Sequence, residues 1–306
     1  MISASGRYII IYNGEIYNFV NLRKDLENDG IKLSGRSDTE VILCLIDKLG
    51  LEKTIKKLNG MFAFALYDKK LNRIYLIRDN TGQKPLYFSI DNKTLFFTSE
   101  LKGLEFSGIK TKISQEAVSL FFKLSYIPAP FTIFQNIFKL EKGKYLELNL
   151  NDFDHRIISF KRDLNYFELS NKNFDDKISS FENLFSEVIS DHLISDVENG
   201  TLLSGGIDST LVTLFSNKVS EKKIKSYCVK SNNYNYDESI YAEKIAKKIG
   251  TEHNTLEFTD YDFKEAILNM HKVYDEPFGD SSQIPCYLLF KSIKNKIQVA
   301  ISGDGG

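Results

Sequence analysis

Leu202-Leu203-Ser204-Gly205-Gly206-Ile207-Asp208-Ser209 is the stretch on which the reading of this chain turns. Thr201–Leu203 has the apolar character of a short buried strand, and Ser209–Val219 has the period of a helix. The serine and the two glycines therefore fall on a strand-to-helix turn. Small residues there let backbone N–H groups approach a polyphosphate closely, and the helix behind points its free N–H groups at the same anion. Asp208 would repel bare phosphate, so a bridging Mg²⁺ is the natural reason for its place. The alternative is a serine-capped turn in which glycine serves geometry alone. A Walker A loop is excluded, because no Gly-Lys-Ser/Thr follows.

Outward from this turn the pattern keeps alternating. A helix is expected from Phe174 to about Ser195, a strand over Ile224–Val229 and a helix over Glu238–Ile249. Gln298–Ile301 then forms a buried strand running into Ser302-Gly303-Asp304-Gly305-Gly306. Helices alternating with short buried strands are the mark of a parallel, doubly wound sheet.

The first half reads differently. Strands are expected at Gly6–Tyr12, Phe62–Tyr67, Arg73–Arg78 and Thr94–Thr98, and helices over Tyr17–Asp29 and from Asp38 to Gly50. Such an order suggests layered α+β structure. Its polar residues gather at element ends: Asn13-Gly14-Glu15 closes the first strand and Asp38 opens the second helix. An Asn amide and a Gly backbone can donate to a developing oxyanion, and two carboxylates can hold an ammonium group. The plainer alternative makes Asn-Gly a turn and Asp38 an N-cap. The polar stretch Asn149–Lys172 is the natural boundary between the halves.

Composition narrows the class. At roughly 150 residues per domain, 306 residues suggest two. With 40 Lys+Arg against 41 Asp+Glu there is no basic field to gather nucleic acid. No apolar run approaches the roughly 18 residues of a membrane span, and no signal peptide opens the chain. Cys44, Cys228 and Cys286 are odd in number and far apart, which fits reduced thiols in a cytoplasm. The four histidines form no HxH or HxxxH pair.

Several motifs in sequence order carry a resemblance. Tyr12–Asn18 (YNGEIYN), Ser37–Val41 (SDTEV), Gly60–Ala65 (GMFAFA), Arg78-Asp79 through Lys84–Tyr87 (KPLY) and Ser99–Lys102 (SELK) resemble the glutaminase domain of glutamine-hydrolysing asparagine synthetases. Ser204–Ser209 resembles the phosphate loop of the ATP-pyrophosphatases. Asp275–Pro285, Asp237-Glu238 with Tyr241-Ala242, and Ser302–Gly306 resemble further segments of the synthetase domain, the first of them near the aspartate and adenylate site. The resemblance implies an α+β, N-terminal-nucleophile-type αββα sandwich over residues 1–150, a linker over 151–173, and an α/β ATP-pyrophosphatase (PP-loop, adenine nucleotide α-hydrolase-like) parallel-sheet domain over 174–306, both domains incomplete. It implies an oxyanion hole at Asn13 and Gly14, with Glu15 and Asp38 on the glutamine α-amino end. Leu202, Val229, Ser302 and Gly303 would line the adenosine of ATP. Ser204, Gly205, Gly206, Asp208 and Ser209 would hold pyrophosphate, with Mg²⁺ at Asp208.

The implied enzyme is a cytoplasmic ligase using glutamine, aspartate and ATP, compatible with a homodimer. One departure qualifies this. The family's nucleophile is an N-terminal cysteine, whereas position 2 is Ile2 and Cys44 lies on the apolar face of a helix, where a structural thiol is expected. The expectation is a fragment truncated at both ends, inactive by itself. Relatives that amidate sugar acids or close lactams, and a non-catalytic module keeping the fold, are the alternatives.

Overall fold

The computed structural model describes residues 1–160, 173–195, 197–230 and 237–303. The chain divides into two compact units, Met1–Asn165 with Tyr274–Gly279, and Tyr166–Val273 with Asp280–Gly306.

The first unit begins with β1 (Tyr8–Ile16), α1 (Phe19–Asn28), α2 (Asp38–Leu49), α3 (Leu51–Ile55), β2 (Gly60–Asp68), β3 (Arg73–Arg78), β4 (Tyr87–Asp91) and β5 (Thr94–Thr98). After a 3₁₀ turn at Leu101–Ser107 come α4 (Gln115–Leu124), β6 (Phe138–Lys139), β7 (Lys144–Asn149) and β8 (His155–Ser159). An antiparallel sheet runs β1-β2-β3-β7-β8, and a smaller one runs β5-β4-β6. The central strand β2 shows why the layers stack. Phe62, Phe64 and Leu66 point into a core built with Leu26, Val41, Ile42 and Ile46 of the helices. Ala63 and Ala65 point the other way, into a core shared with Phe88 of β4 and Leu146 of β7. A strand buried on both faces must read as a continuous apolar run, as Met61–Leu66 does. The result is helix, sheet, sheet, with Leu101 and Leu104 covering the outer side of the smaller sheet. This is the α+β sandwich the sequence implies.

Three local differences matter. Asn13-Gly14-Glu15 does not turn; it stays inside β1, opposite Ala63, Phe62 and Met61. Asp38 is not the N-cap of α2, because Ser37 takes that place and accepts from Glu40 N. β8 lies inside the stretch read as linker yet pairs with β7. Its mostly exposed side chains hide an edge strand from an apolar-pattern reading. Residues 161–172, the rest of that stretch, lie outside the described residues.

The second unit contains α5 (Phe174–Leu193), β9 (Asn199–Leu202), α6 (Ile207–Val219), β10 (Lys225–Lys230), α7 (Ser239–Ile249), β11 (Glu252–Glu257), α8 (Asp260–Val273), α9 (Gln283–Ile293) and β12 (Val299–Ile301). Its sheet is parallel throughout, in the order β11-β10-β9-β12. Cys228 and Leu203 pack under Ala242 and Ala246 of α7, while Tyr227 packs under Leu289 and Ile293 of α9. Helices thus cover both faces, as a doubly wound sheet requires. The order reverses at β9, between β10 on one side and β12 on the other. Ligands of open parallel sheets bind at the carboxyl ends of strands at such a reversal.

Tyr274–Gly279 lies between α8 and α9 in sequence but belongs to the first unit. Asp275 Oδ2 accepts from Leu101 N at 2.6 Å, and Glu276 pairs with Lys139 at 2.5 Å.

Candidate functional sites

At the reversal point, the loops leaving β9 and β12 border a cavity of about 450 Å³. Of the nine residues expected around a nucleotide, eight line it: Leu202, Ser204, Gly206, Asp208, Ser209, Val229, Ser302 and Gly303. Gly205 is turned away. A Cβ there would lie 3.1 Å from Tyr241 Cβ and 3.3 Å from Ala242 N, at a φ of +92° that a side chain resists. Gly205 lets the loop lie against α7 and leaves the cavity wall to its neighbours.

The loop's hydroxyls hold one another. Ser204 Oγ and Ser209 Oγ are 3.0 Å apart, and Ser209 Oγ donates to Gly206 O at 3.2 Å. α6 starts two residues earlier than its apolar period indicates, with Gly206 as N-cap and no side chain capping it. Serine hydroxyls still brace the turn, since Gly206 N donates to Ser204 Oγ at 3.4 Å and Ser204 N to Ser209 Oγ at 3.3 Å, so the serine-capped alternative holds for the turn although no serine caps the helix itself. The first N–H groups of a helix have no intrahelical partner, and here they border the cavity with the helix dipole behind them. Asp208 lies exposed in that first turn. One exposed carboxylate beside a glycine- and serine-lined cavity is a donor set that would suit Mg²⁺, which takes few protein ligands and completes its shell with water and ligand oxygens. Among the described residues no cluster of three or more metal-ligating side chains exists.

The first unit holds the other set. β1 is an edge strand, and Ile10 N bonds outward to Met1 O while Ile16 N bonds outward to Asp38 Oδ2. Backbone groups along an antiparallel strand alternate sides, so Gly14, of the same parity, also turns its N–H to the open edge. A side chain at Gly14 is impossible without movement, since a Cβ would stand 2.3 Å from Met61 O. Asn13 Nδ2 donates to Ser99 Oγ at 3.1 Å. Asp38 Oδ2 accepts from Tyr12 Oη at 2.6 Å as well as from Ile16 N at 3.1 Å. Burial, and then the Asp38 bond, push the Tyr12 hydroxyl far up, so it remains a donor. Cys44 sits buried in the helix core with its thiol pushed up by burial, the environment of a structural cysteine.

Residues 1–157, just over half the chain, match the family model described as a glutamine amidotransferase domain. The chain belongs to that family. Residues 180–306 match the model described as asparagine synthase. A relative from Methanocaldococcus jannaschii, named as a candidate glutamine-hydrolysing asparagine synthetase, is 37% identical over 97% of this chain and 57% of its own length. Asparagine synthetase [glutamine-hydrolyzing] 1 of Bacillus subtilis is 31% identical over 97% of this chain and 46% of its own. The chain thus spans about half the length of the curated relatives it matches. A solved glutamine phosphoribosylpyrophosphate amidotransferase from B. subtilis, complexed with ADP and GMP, is 14% identical over 84% of this chain and 63% of that one, with a TM-score of 0.40.

Within this amidotransferase-family chain, some residues escaped the sequence reading. Asp79 is fully buried, and Arg78 beside it donates to the carbonyls of Gly82, Lys84 and Leu140. Together they build the 79–84 loop, and Asp79 also accepts from Phe62 N at 3.2 Å, opposite Gly14. The signal was in view as Arg-Asp before Lys-Pro-Leu-Tyr, without a physical role. The Asp275–Pro285 segment is split: Asp275 and Glu276 anchor in the first unit, while Ser282 and Pro285 line the second unit's cavity. Of Asp237-Glu238, Glu238 lines the cavity, and buried Asp237 accepts from Ser239 N at 3.1 Å. The Tyr-rich loop 232–236, Asp196 and Asp304–Gly306 lie outside the described residues.

Proposed function

We propose that this chain carries the glutamine-recognition and ATP-activation parts of a glutamine-dependent asparagine synthetase. What carries the reading is one chain that joins an amidotransferase-family unit to a parallel-sheet unit with its phosphate-type loop on a cavity at the sheet's reversal point. In the first unit, Asn13 Nδ2 and the edge-facing N–H of Gly14 donate to the carboxamide oxygen of glutamine as charge develops on it. Glu15 and Asp38 take the α-ammonium group. In the second unit, Leu202 and Val229 offer apolar contact to adenine, with Ser302 and Gly303 beside the ribose. The loop amides at 204–209 receive the β- and γ-phosphates. Mg²⁺, held by Asp208 and phosphate oxygens, would neutralise the charge on the departing pyrophosphate.

The reaction assigned is aspartate, ATP, glutamine and water to asparagine, glutamate, AMP and pyrophosphate, by way of a β-aspartyl-adenylate that takes up the ammonia released from glutamine. The enzyme would act in the cytoplasm. In a protein carrying this chain, pyrophosphate release is expected to require both L-aspartate and Mg²⁺. Asp208→Asn should slow it by at least about tenfold, equivalent to about 1.4 kcal/mol of lost transition-state stabilisation, and should leave glutamine hydrolysis nearly intact. Release of orthophosphate and ADP, or full synthesis by the variant, would refute the assignment.

A further inference from the structure

Two side chains brace groups that the proposed glutamine site offers to a ligand: Tyr12 bonds to Asp38, and Ser99 to Asn13. Asp38 would otherwise be free to rotate at the mouth of α2. Tyr12 Oη and Ile16 N both donate to its Oδ2, at 2.6 and 3.1 Å, whereas among the described residues Oδ1 has only a long 3.4 Å contact from Thr39 Oγ1. One oxygen thus carries two bonds set by the fold, and the other carries one long contact. Tyr12 is the stronger of the two fixings, because its bond is the shorter, its ring packs against the helix core and its hydroxyl keeps its proton near neutrality.

Asn13 presents the complementary problem at the other end. Its side chain is exposed, and a primary amide can flip, exchanging a donor for an acceptor. An oxyanion hole built on that amide works only with Nδ2 toward the substrate. Ser99, half-buried just after β5, lies 3.1 Å from Nδ2. A bond there uses one amide hydrogen and holds the plane of the amide, so that the second hydrogen keeps one direction while Ser99 acts as acceptor. Ser99 is 86 positions away in sequence and reaches Asn13 from the smaller sheet.

We propose that Tyr12 and Ser99 are positioning residues for an α-amino acid carboxamide, Tyr12 setting the carboxylate that meets the ammonium end and Ser99 the amide that meets the carboxamide end. This rests on the glutamine reading of the first unit, and the test separates the two. L-glutamine and L-norvaline, which has the same carbon chain and no carboxamide, are each titrated into the 306-residue chain by isothermal calorimetry or NMR. Tyr12→Phe should weaken both ligands about tenfold, the scale of one hydrogen bond to a charged group. Ser99→Ala should weaken L-glutamine about fivefold and leave L-norvaline unchanged, and Ser99→Thr, which keeps the hydroxyl, should restore glutamine binding.

A purely structural role for Ser99 would weaken both ligands alike, and that result overturns its part of the proposal. An unchanged glutamine affinity in Ser99→Ala, or a Tyr12→Phe effect confined to glutamine or absent, overturns it too. As a ligand-independent check, the Asn13 side-chain NH₂ signals should move in Ser99→Ala; unmoved signals count against the proposal. A wild-type chain that binds neither ligand overturns the glutamine reading itself, and the proposal falls with it.

Discussion

Asp79 shows how much one buried carboxylate can organise. Five backbone N–H groups (Phe62, Thr81, Gly82, Gln83 and Lys84) and the Thr81 hydroxyl donate to its two oxygens. A buried donor left without its acceptor costs about 1–3 kcal/mol. Asp79→Ala would strand several at once, so a loss of at least about 3 kcal/mol is expected in urea unfolding followed by circular dichroism. Asp79→Asn keeps one acceptor oxygen and should cost less. Equal stability of wild type and Asp79→Ala would mean that water replaces the carboxylate, and the loop's role in holding Phe62 opposite Gly14 would need another explanation. The same residue marks the limit of sequence reading at this scale. Asn13, Gly14, Glu15 and Asp38 were legible as polar groups near element ends. Their supports were not, because Tyr12 reaches Asp38 across 26 positions and Ser99 reaches Asn13 across 86. Local pattern carries no information about such pairings.

Among the elements, β10 and β11 carry a polar seam that apolar periodicity could not reveal. Parallel register sets Ser226 beside His253 and Cys228 beside Thr255. His253 Nδ1 lies 2.8 Å from Ser226 Oγ, and its Nε2 lies 3.4 Å from Cys228 Sγ. Burial pulls the His253 pKa below its ordinary value, and nearby Glu243 offsets this only in part. The folded state therefore binds this proton less readily than the unfolded state does. The seam's contribution is complete above the unfolded pKa of about 6.5 and is lost as pH falls from there through the lower folded value. Stability measured from pH 7.5 to 5 should fall more steeply for wild type than for His253→Asn, the excess slope not exceeding about 1.4 kcal/mol per pH unit for one proton. Parallel curves would show that His253 keeps its proton equilibrium unchanged on folding. β10 was legible as the short apolar run Ile224–Val229, whereas β11 was not read, its Glu252–Glu257 run being polar and only half-buried. β8 was not, because an edge strand with polar, exposed side chains looks like a connector until its hydrogen bonds to β7 are seen.

For the whole molecule, the two units have cores of different construction, an antiparallel sandwich and a parallel doubly wound sheet, and each offers a ligand a distinct set of backbone donors. A ligand that binds only the folded form stabilises it by mass action, about 2.7 kcal/mol at a hundred times its dissociation constant. Hydrogen exchange reads that gain locally. L-glutamine should slow amides along the edge of β1 around Gly14 and at the start of α2, where Asp38 stands. MgATP should slow those of the loop after β9 and the first turn of α6. At saturations near a hundredfold, protection in each segment should rise by up to about two orders of magnitude, since about 1.4 kcal/mol corresponds to a factor of ten. Without Mg²⁺ the ATP effect should shrink, because the Asp208 carboxylate then faces the phosphates unneutralised. ATP protection equal with and without the cation would remove Asp208 from any metal role while leaving the loop as a phosphate site. ATP protection appearing only in β1 and α2 would place nucleotide in the wrong unit, and the division of labour proposed for the chain would be lost.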